Sequence, residues 1–341
     1  MSGLRTVLAL TQGLEVPSSR FRWRQHEAWL RTQGLAAQEL PARHGAYPPP
    51  QAWRRPAWGL RAFADSWQRA RQANGADLCF LQRHLIATLH SAERALRVPY
   101  VLDVDDAIFL GPRGASADAI ARRAALSLCG NQFLAEHFAH HGPVKVLPTA
   151  IDTERFLPAA PAEGPLVIGW SGSSSGFAYL LALEGALAQV LRRHPEARLR
   201  VVADAPPPWR TLPAAQVDFR RWNAETEVAD LQSFHIGLMP LNDSPWARGK
   251  CSFKMLSYMA CGLPVVVSPV GMNAEVLTLG QLGLGPRHQD EWVQALDWLL
   301  REPARRAALG QVGRQVAQQH YSRERVGREL LAALRQAHGA R

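Results

Sequence analysis

Short apolar runs alternate with helical patterns along the whole chain, and the runs form two sets. The first set predicts strands at 6–10, 78–81, 100–102, 126–129 and 144–147, with helices at 29–34, 62–73 and 133–141. The second predicts strands at 167–170, 199–203, 217–219, 236–239 and 265–268, with helices at 177–194, 226–233, 290–301 and 304–337. Because parallel strands need a crossover connection, usually a helix, this alternation predicts an α/β protein with two parallel sheets.

A stretch rich in proline and alanine, without periodicity, separates the two sets. A chain of 341 residues is long enough for two domains of ordinary size. We therefore predict a first domain at 1–157, a linker at 158–165, a second domain at 166–312 and a helical C-terminal region at 313–341. We expect the C-terminal region to pack back on the first domain.

The segment 250–271 contains a loop, a short predicted helix and a buried strand. Gly262 after the helix and Pro264 just beyond it are the expected stop signals. Lys250 and Lys254 lie one turn apart at the predicted helix start, next to small residues. Free backbone N–H groups and positive charge there favour an anion. The alternative is a solvated basic helix face.

This segment resembles the C-terminal donor-site signature of GT-B glycosyltransferases, particularly those of family 4, in which a Gly-x-Pro-Val-Val element follows the helix. Other segments resemble that family in the expected order along the chain, at 16–25, 99–106, 131–135, 147–152, 168–172 and 234–241. The resemblance implies the GT-B fold, in which two Rossmann-like parallel-sheet domains face each other across a cleft. It also implies a hexosyltransferase that moves a sugar from a nucleotide-sugar to a glycan or lipid-linked acceptor.

The resemblance assigns roles to residues of the second half. Lys250 and Lys254 would neutralise the donor diphosphate, which makes both candidate catalytic residues. The implied donor-binding residues are Gly169, Gly172, Ser173, Ser174, Cys251, Ser252, Phe253 and Ser257. The family reaction retains the anomeric configuration and needs neither a metal nor a cofactor.

Two positions depart from the family pattern. Where the family usually carries acidic residues, this chain has Gly249 and Ser257. A serine can bond a ribose hydroxyl, but charge-assisted bonds are roughly twice as strong. A GT-B protein that has lost catalysis and acts as a binding or scaffold protein is therefore the second interpretation.

Three carboxylates follow the predicted strand at 100–102. Asp103 and Asp105 would share one strand face, with Asp106 on the other face or in the next loop. Carboxylates this close repel, so one pKa should be raised unless a cation joins them. The resemblance makes Asp105 a candidate for accepting or orienting the acceptor proton, with Asp103 and Asp106 nearby. The alternatives are a metal-binding Asp-x-Asp pair and a structural cap.

Three arginines follow the first predicted strand, at Arg20, Arg22 and Arg24. Guanidinium groups suit phosphate, so Arg20 and Arg22 are candidate contacts to the acceptor or to phosphate. Of these, Arg20 lies nearest the strand end. A basic surface on an amphipathic helix is the competing interpretation.

The charge balance predicts anionic partners, because the chain has 39 Lys and Arg residues but only 29 Asp and Glu residues. The segment 53–71 mixes tryptophan, phenylalanine and arginine, so it predicts either an anionic membrane surface or an ordinary amphipathic helix. No base-reading motif accompanies it, so we expect no nucleic-acid partner.

Four cysteines are scattered without metal-ligand spacing, and no apolar run approaches the ~20 residues of a membrane span. We expect reduced thiols and a cytoplasmic protein, peripheral on the inner membrane at most. A role in polysaccharide or glycolipid assembly is implied only by the family resemblance. His137, His140 and His141 have helical spacing, but without a ligand partner close in sequence they predict no metal site.

Overall fold

The computed structural model describes residues 3–87, 89–111, 114–160 and 164–339. Residues 161–163 of the predicted linker lie outside the described residues. The chain forms two compact units. The first contains Met1–Ala150, Gly249–Cys251 and Arg323–Arg341, and the second contains Ile151–Arg248 and Ser252–Ser322.

The strands are β1 (Thr6–Thr11), β2 (Ala36–Pro41), β3 (Leu78–Gln82), β4 (Tyr100–Val104), β5 (Leu126–Cys129), β6 (Val144–Val146), β7 (Val167–Ser171), β8 (Arg198–Ala203), β9 (Val217–Arg221), β10 (Ile236–Met239), β11 (Val265–Val267) and β12 (Gly283–Leu284).

The α-helices are α1 (Pro17–Ser19), α2 (Gln25–Thr32), α3 (Arg55–Ala73), α4 (Gly114–Ala121), α5 (Gln132–Phe138), α6 (Phe177–Leu181), α7 (Glu184–Arg193), α8 (Glu227–Gln232), α9 (Pro245–Arg248), α10 (Phe253–Ala260), α11 (Met272–Leu277), α12 (Gln289–Arg301), α13 (Pro303–Tyr321) and α14 (Arg323–Gly339). A π-helical turn, Arg20–Arg24, joins α1 to α2.

The first unit contains a parallel sheet of six strands in the order β2-β1-β3-β4-β5-β6. Its core is made by apolar strand residues together with one face of α2 and of α14, and includes Trp23, Leu30, Phe80 and Leu330. The strand order reverses between β1 and β3. Ligands of open α/β sheets bind beyond the carboxyl ends of the strands at such a reversal.

The second unit contains a parallel sheet of six strands in the order β12-β11-β10-β7-β8-β9. This is the strand order of the dinucleotide-binding Rossmann fold, with its reversal between β7 and β10. The core packs α7 and α12 against the strands, with Trp170, Leu187 and Leu296 among its members.

Two predicted helices are divided in the structure. The prediction at 177–194 becomes α6 and α7, whose axes are bent by 67°. The prediction at 304–337 becomes α13 and α14, because Ser322 is extended (ψ 147°) and forms a β-bridge with Ile151. Helix α13 belongs to the second unit and α14 to the first.

The second unit begins at Ile151, ahead of the proline-rich stretch at 158–165. Ile151 and Phe156 are completely buried there, so the chain is already part of a core before that stretch begins. Taken singly, none of the described helices is long and apolar enough to cross a membrane.

Candidate active site

At the strand reversal of the second unit, β7 ends at Ser171 and a glycine- and serine-rich loop follows at 172–176. The Ser171 backbone N–H donates a 2.8 Å hydrogen bond to the Tyr258 hydroxyl. Tyr258 lies on α10 and is completely buried. Helix α10 therefore anchors the start of this loop.

Gly172 leaves the space that the Lys254 side chain occupies. A Cβ atom at this position would lie 2.5 Å from Lys254 Cε and 2.7 Å from the Trp170 ring. The Lys254 ammonium lies 5.5 Å from the centroid of the Trp170 ring, within the range of a cation–π interaction. A glycine is thus required for the lysine to lie beside the loop at the end of β7.

The rest of the loop is tied to the neighbouring strand end. Ser174 donates from its backbone N–H and its hydroxyl to Asp204, at 2.6 and 2.7 Å. The hydrogen bond from the Ser174 side chain lowers the pKa of Asp204. Ser173 and Ser175 are exposed, and their hydroxyl oxygens are 2.7 Å apart. The loop therefore presents exposed hydroxyl groups directly after Gly172, the residue against which Lys254 lies.

The predicted short helix is present as α10, with Gly262 (φ +71°) just beyond its end. Ser252, in the left-handed region at φ 51°, precedes the helix and donates to Asn273 Oδ1 at 2.7 Å. Phe253, half-buried, opens it. Ser257 is 4% exposed and donates to the Phe253 carbonyl at 2.8 Å, so its hydroxyl is used inside the helix.

Gly169 lies in the middle of β7 and is buried. A Cβ atom there would lie 2.0 Å from the Phe234 ring. The glycine allows this ring to pack against the strand, so the structure gives Gly169 a packing role.

In the first unit, the three carboxylates at the end of β4 are matched by cations. Asp103 accepts from Arg22, with Nη2 2.5 Å from Oδ1, and both side chains are 1% exposed. Arg22 also donates to the Leu147 carbonyl at 2.7 Å. Burial raises the pKa of Asp103, although the Arg22 charge opposes the shift.

Asp105 and Asp106 share the guanidinium of Arg83. Its Nε lies 2.5 Å from Asp105 Oδ1, and its Nη2 lies 2.9 Å from Asp106 Oδ2. Lys250 completes the group, with Nζ 2.7 Å from Asp106 Oδ1. Arg83 has φ 53°, which a bulky residue adopts at a cost. The surrounding ion pairs offset this strain.

The pKa of Asp105 reflects two opposing effects. Burial acts to raise it, but the charge and hydrogen bond of Arg83 outweigh burial, with Arg22 and Lys250 adding to the same effect. The pKa of Asp105 is lowered as a result. A carboxylate with a lowered pKa is a weak proton acceptor at neutral pH, so it is better suited to orienting a hydroxyl group than to removing its proton.

Residues 249–251 belong to the first unit. Cys251 is buried, its thiol donates to the Asp105 carbonyl at 3.3 Å, and burial raises the pKa of that thiol well above its usual value. Asn131 donates to the Lys250 carbonyl at 3.1 Å. A Cβ atom on Gly249 would lie 2.6 Å from Ala107 Cβ, so no acidic side chain fits at this position in the structure.

The three arginines after β1 lie in different surroundings. Arg22 is buried against Asp103, and Arg24 donates to Glu39 at 2.6 Å. Arg20 is half-buried, with its guanidinium 4.2 Å from the centroid of the Phe21 ring. Arg22 therefore serves the carboxylate group directly, while Arg20 keeps partial exposure.

Three residues of these sites were missed by the sequence analysis: Arg83, Asp204 and Tyr258. Arg83 directly follows β3 and Asp204 directly follows β8. Both could have been found by asking which charged residues follow predicted strands, since ligands lie at those ends. Tyr258 carries no such signal, because its contact depends on how α10 packs.

Comparison with known proteins supports a glycosyltransferase fold. A family model described as glycosyl transferase-like matches residues 184–332. Sucrose-phosphate synthase from Thermosynechococcus elongatus aligns with a TM-score of 0.75 at 14% identity, over 99% of this chain and 100% of that one. A search of curated protein sequences found no match.

Two further solved structures are similar over almost their whole length. Anabaena HepE in complex with UDP and glucose aligns with a TM-score of 0.71 at 15% identity, over 97% of this chain and 99% of that one. A UDP-forming α,α-trehalose-phosphate synthase from Burkholderia xenovorans aligns with a TM-score of 0.67 at 12% identity, with the same coverages. Two six-stranded parallel sheets with these likenesses confirm the predicted GT-B fold class. Assignment to family 4 stays a prediction.

Proposed function

We propose that this protein is a glycosyltransferase that uses a nucleotide-sugar donor. The observation that carries the proposal is Lys254, held beside the loop at 172–175 at the strand reversal of a Rossmann-ordered sheet. Ligands of such sheets bind at this point. The structural neighbours include proteins whose structures contain UDP or UDP-glucose, which supports a uridine diphosphate donor.

In this proposal, Lys254 stabilises the departing diphosphate. Negative charge grows on the leaving group as the glycosidic bond of the donor breaks. A cation placed beforehand favours the transition state over the bound donor and so raises the rate. The exposed hydroxyl groups of Ser173 and Ser175, on the loop whose Gly172 lies against the lysine, supply hydrogen bonds to phosphate oxygens.

The acceptor side is assigned to the carboxylate group of the first unit. Asp105 orients the acceptor hydroxyl, while Arg83 and Lys250 hold Asp105 and Asp106 in place. Arg20, partly exposed, is the proposed phosphate contact of a glycan or lipid-linked acceptor. Arg22 and Asp103 form a buried ion pair next to these residues, and the Arg22 charge helps to keep Asp105 ionised.

The reaction is proposed to be independent of metal and cofactor. A divalent ion at Asp103 and Asp105 would compete with two guanidinium groups that already bind these carboxylates. Like charges this close repel, which disfavours the metal-dependent alternative. Retention of the anomeric configuration follows from the family resemblance, and NMR analysis of the product anomer would test it.

Ligand binding provides the primary test. UDP, GDP and their sugar conjugates are each added to the full chain at millimolar concentration, with and without EDTA, and the unfolding temperature is measured. A ligand at 100 times its Kd stabilises the folded state by about 2.7 kcal/mol. We expect a uridine nucleotide to stabilise the protein in the presence of EDTA, and Lys254→Ala to weaken that effect. The absence of stabilisation by every nucleotide would contradict the proposal.

The second candidate is a GT-B protein without catalytic activity. Ser257 uses its hydroxyl inside α10, and Gly249 leaves no room for a carboxylate. Both observations favour weak donor binding. Measurement of UDP release from UDP-glucose separates the two candidates. If the protein binds UDP but releases no UDP from UDP-glucose with any hydroxyl acceptor that is supplied, the result would support the second candidate, the binding protein without catalytic activity.

We also propose that α3 and the turn before it rest on an anionic membrane. Leu60, Phe63 and Trp67 follow one face of α3 and are exposed, and exposed Trp53 precedes the helix. Such apolar side chains gain free energy by entering the interface between lipid and water. The protein would then act at the cytoplasmic face of the inner membrane.

The charges around this face fit anionic lipid. Exposed arginines flank the apolar side chains, at Arg54, Arg55, Arg61 and Arg71. The sequence from 41 to 76 contains one acidic residue, Asp65, which is buried and paired with Arg69. Each arginine near an anionic surface contributes roughly 1 kcal/mol of attraction.

Vesicle sedimentation tests this partner. We expect the full chain to bind vesicles of phosphatidylcholine with phosphatidylglycerol, and to bind phosphatidylcholine alone much more weakly. Leu60→Ser/Phe63→Ser should abolish binding. The control is Leu279→Ser, which removes a leucine that is 41% exposed on the second unit. Equal sedimentation of all three proteins would overturn the proposal.

A further inference from the structure

Asp118, His137 and His141 come together in the first unit, where the middle of α4 approaches the end of α5. Asp118 lies on α4, His137 on α5, and His141 in the turn after α5. Asp118 Oδ1 lies 2.8 Å from His137 Nε2 and 3.2 Å from His141 Nε2. The carboxylate is separated in sequence from both histidines, so the sequence pattern could not show this group.

We propose that these three side chains form a binding site for a divalent transition-metal ion of the zinc class. Imidazole nitrogen and carboxylate oxygen are the ligand types that zinc prefers, at bond lengths of about 2.0–2.2 Å. Ligand atoms around a tetrahedral ion of that size lie about 3.3 Å from one another. In this group all three ligand atoms lie within 4.8 Å of one another, so an ion fits after small side-chain movements.

Aromatic packing holds one of the three ligands, His137, in place. The His137 ring stacks on Phe109, with centroids 3.6 Å apart and planes 7° apart. It also meets Phe138 edge-on at 5.0 Å. An imidazole whose ring is held by packing loses less conformational entropy when it binds a metal.

The site is partly open. The side chains of His137, His141 and Asp118 are 28%, 14% and 20% exposed. Three protein ligands with solvent access leave the fourth position of a tetrahedral ion to water. The ion would join α4 to the end of α5 and so stabilise the first unit. This site is made by residues other than those of the proposed donor and acceptor sites, so it goes beyond the proposed function.

His140 provides a matched control. It lies between the two histidine ligands in sequence, is exposed, and is not a member of the group. A metal that binds surface histidines without geometric selection would lose affinity equally in His140→Ala and His141→Ala. A metal held by the proposed group would distinguish between them.

The experiment uses the full chain without an affinity tag, freed of metal by chelator. Zinc chloride is titrated calorimetrically into the wild type and into His140→Ala, His141→Ala, His137→Ala and Asp118→Asn. We expect one equivalent to bind the wild type and His140→Ala. Each ligand variant should bind about tenfold more weakly or worse, since even supporting residues of metal sites cost 10–100-fold in affinity.

Thermal unfolding of the same proteins gives a second measurement. Zinc should raise the unfolding temperature of the wild type and of His140→Ala, but not that of Asp118→Asn. Circular dichroism of the metal-free variants verifies that they fold. A wild type that binds less than one equivalent, or an equal loss in His140→Ala and His141→Ala, would overturn the proposal. Uridine nucleotide binding is measured in parallel, because it tests the glycosyltransferase proposal separately.

Discussion

The Arg22 guanidinium and the Asp103 carboxylate form an ion pair in which each side chain is only 1% exposed. Asp103 lies on β4, two residues before Asp105, and the Arg22 charge also lowers the pKa of Asp105, so the pair bears on the neighbouring carboxylates. Removing one member of a buried pair leaves an uncompensated charge, which costs about 3–5 kcal/mol.

We therefore expect Asp103→Asn to destabilise the first unit by about 3–5 kcal/mol. Hydrogen exchange of the β4 amides measures this loss without the second unit contributing. The double variant Arg22→Met/Asp103→Asn should lose less than the sum of the single variants, because it leaves no buried charge behind. Additive losses would show that the two residues act independently.

Protonation of His26 should make stability depend on pH. Burial, assisted by the charges of Arg22 and Arg323, lowers the pKa of His26 from 6.5 to about 3. Between these values the unfolded chain binds a proton that the folded protein does not, so stability rises with pH in this window. The contribution is complete above pH 6.5 and declines as the pH falls towards 3.

Denaturation by urea at several pH values between 4 and 7 checks this expectation. In His26→Gln, the free energy of unfolding should rise less steeply with pH, by up to about 1.4 kcal/mol per pH unit. His84 contributes in the same direction, because burial lowers its pKa to about 4, so some slope remains in the variant. Parallel curves for the two proteins would rule out the role of His26.

Substitution of Gly172 tests whether the Lys254 position matters for the donor. Because a Cβ atom would lie 2.5 Å from Lys254 Cε, Gly172→Ala should displace the lysine. We expect uridine nucleotide affinity to fall roughly tenfold, about 1.4 kcal/mol. The control is Gly185→Ala on α7, where the new Cβ would meet no atom within 4 Å beyond its chain neighbours and its own helix backbone. Calorimetry with UDP should show wild-type affinity for the control.

Lys254→Ala tests the catalytic role directly. Loss of a cation that stabilises the leaving group should lower kcat roughly 100-fold or more, by analogy with removal of an oxyanion contact. Stability should change little, because Lys254 is only half-buried. Lys254→Arg keeps the charge and should recover part of the rate. Wild-type turnover in Lys254→Ala would remove this residue from the mechanism.

The alternation of apolar runs and helices predicted the strands of both sheets well, because buried parallel strands have a local signature. Two strands were missed, the two-residue β12 (Gly283–Leu284) and β2 (Ala36–Pro41). The sequence of β2, Ala-Ala-Gln-Glu-Leu-Pro, contains no β-branched residue. Strand β2 forms because it pairs in parallel with β1 along its full length. The helix break at Ser322 was missed for a similar reason, since it depends on pairing with Ile151.

For the site residues too, some features could be predicted from the sequence and others are decided only by the tertiary structure. The positions of Asp103, Asp105 and Asp106 at a strand end, and of Lys254 on a short helix, follow from local patterns in the sequence. The residues that pair with these aspartates cannot be predicted from such local patterns. Arg83 reaches Asp105 because β3 pairs with β4, in a register that places Gln82 beside Asp103. Lys250 reaches Asp106 across 144 positions of sequence. Such contacts depend on the strand order and on packing. Both are decided by the burial of apolar surface over the whole unit, so they leave no local periodicity in the sequence.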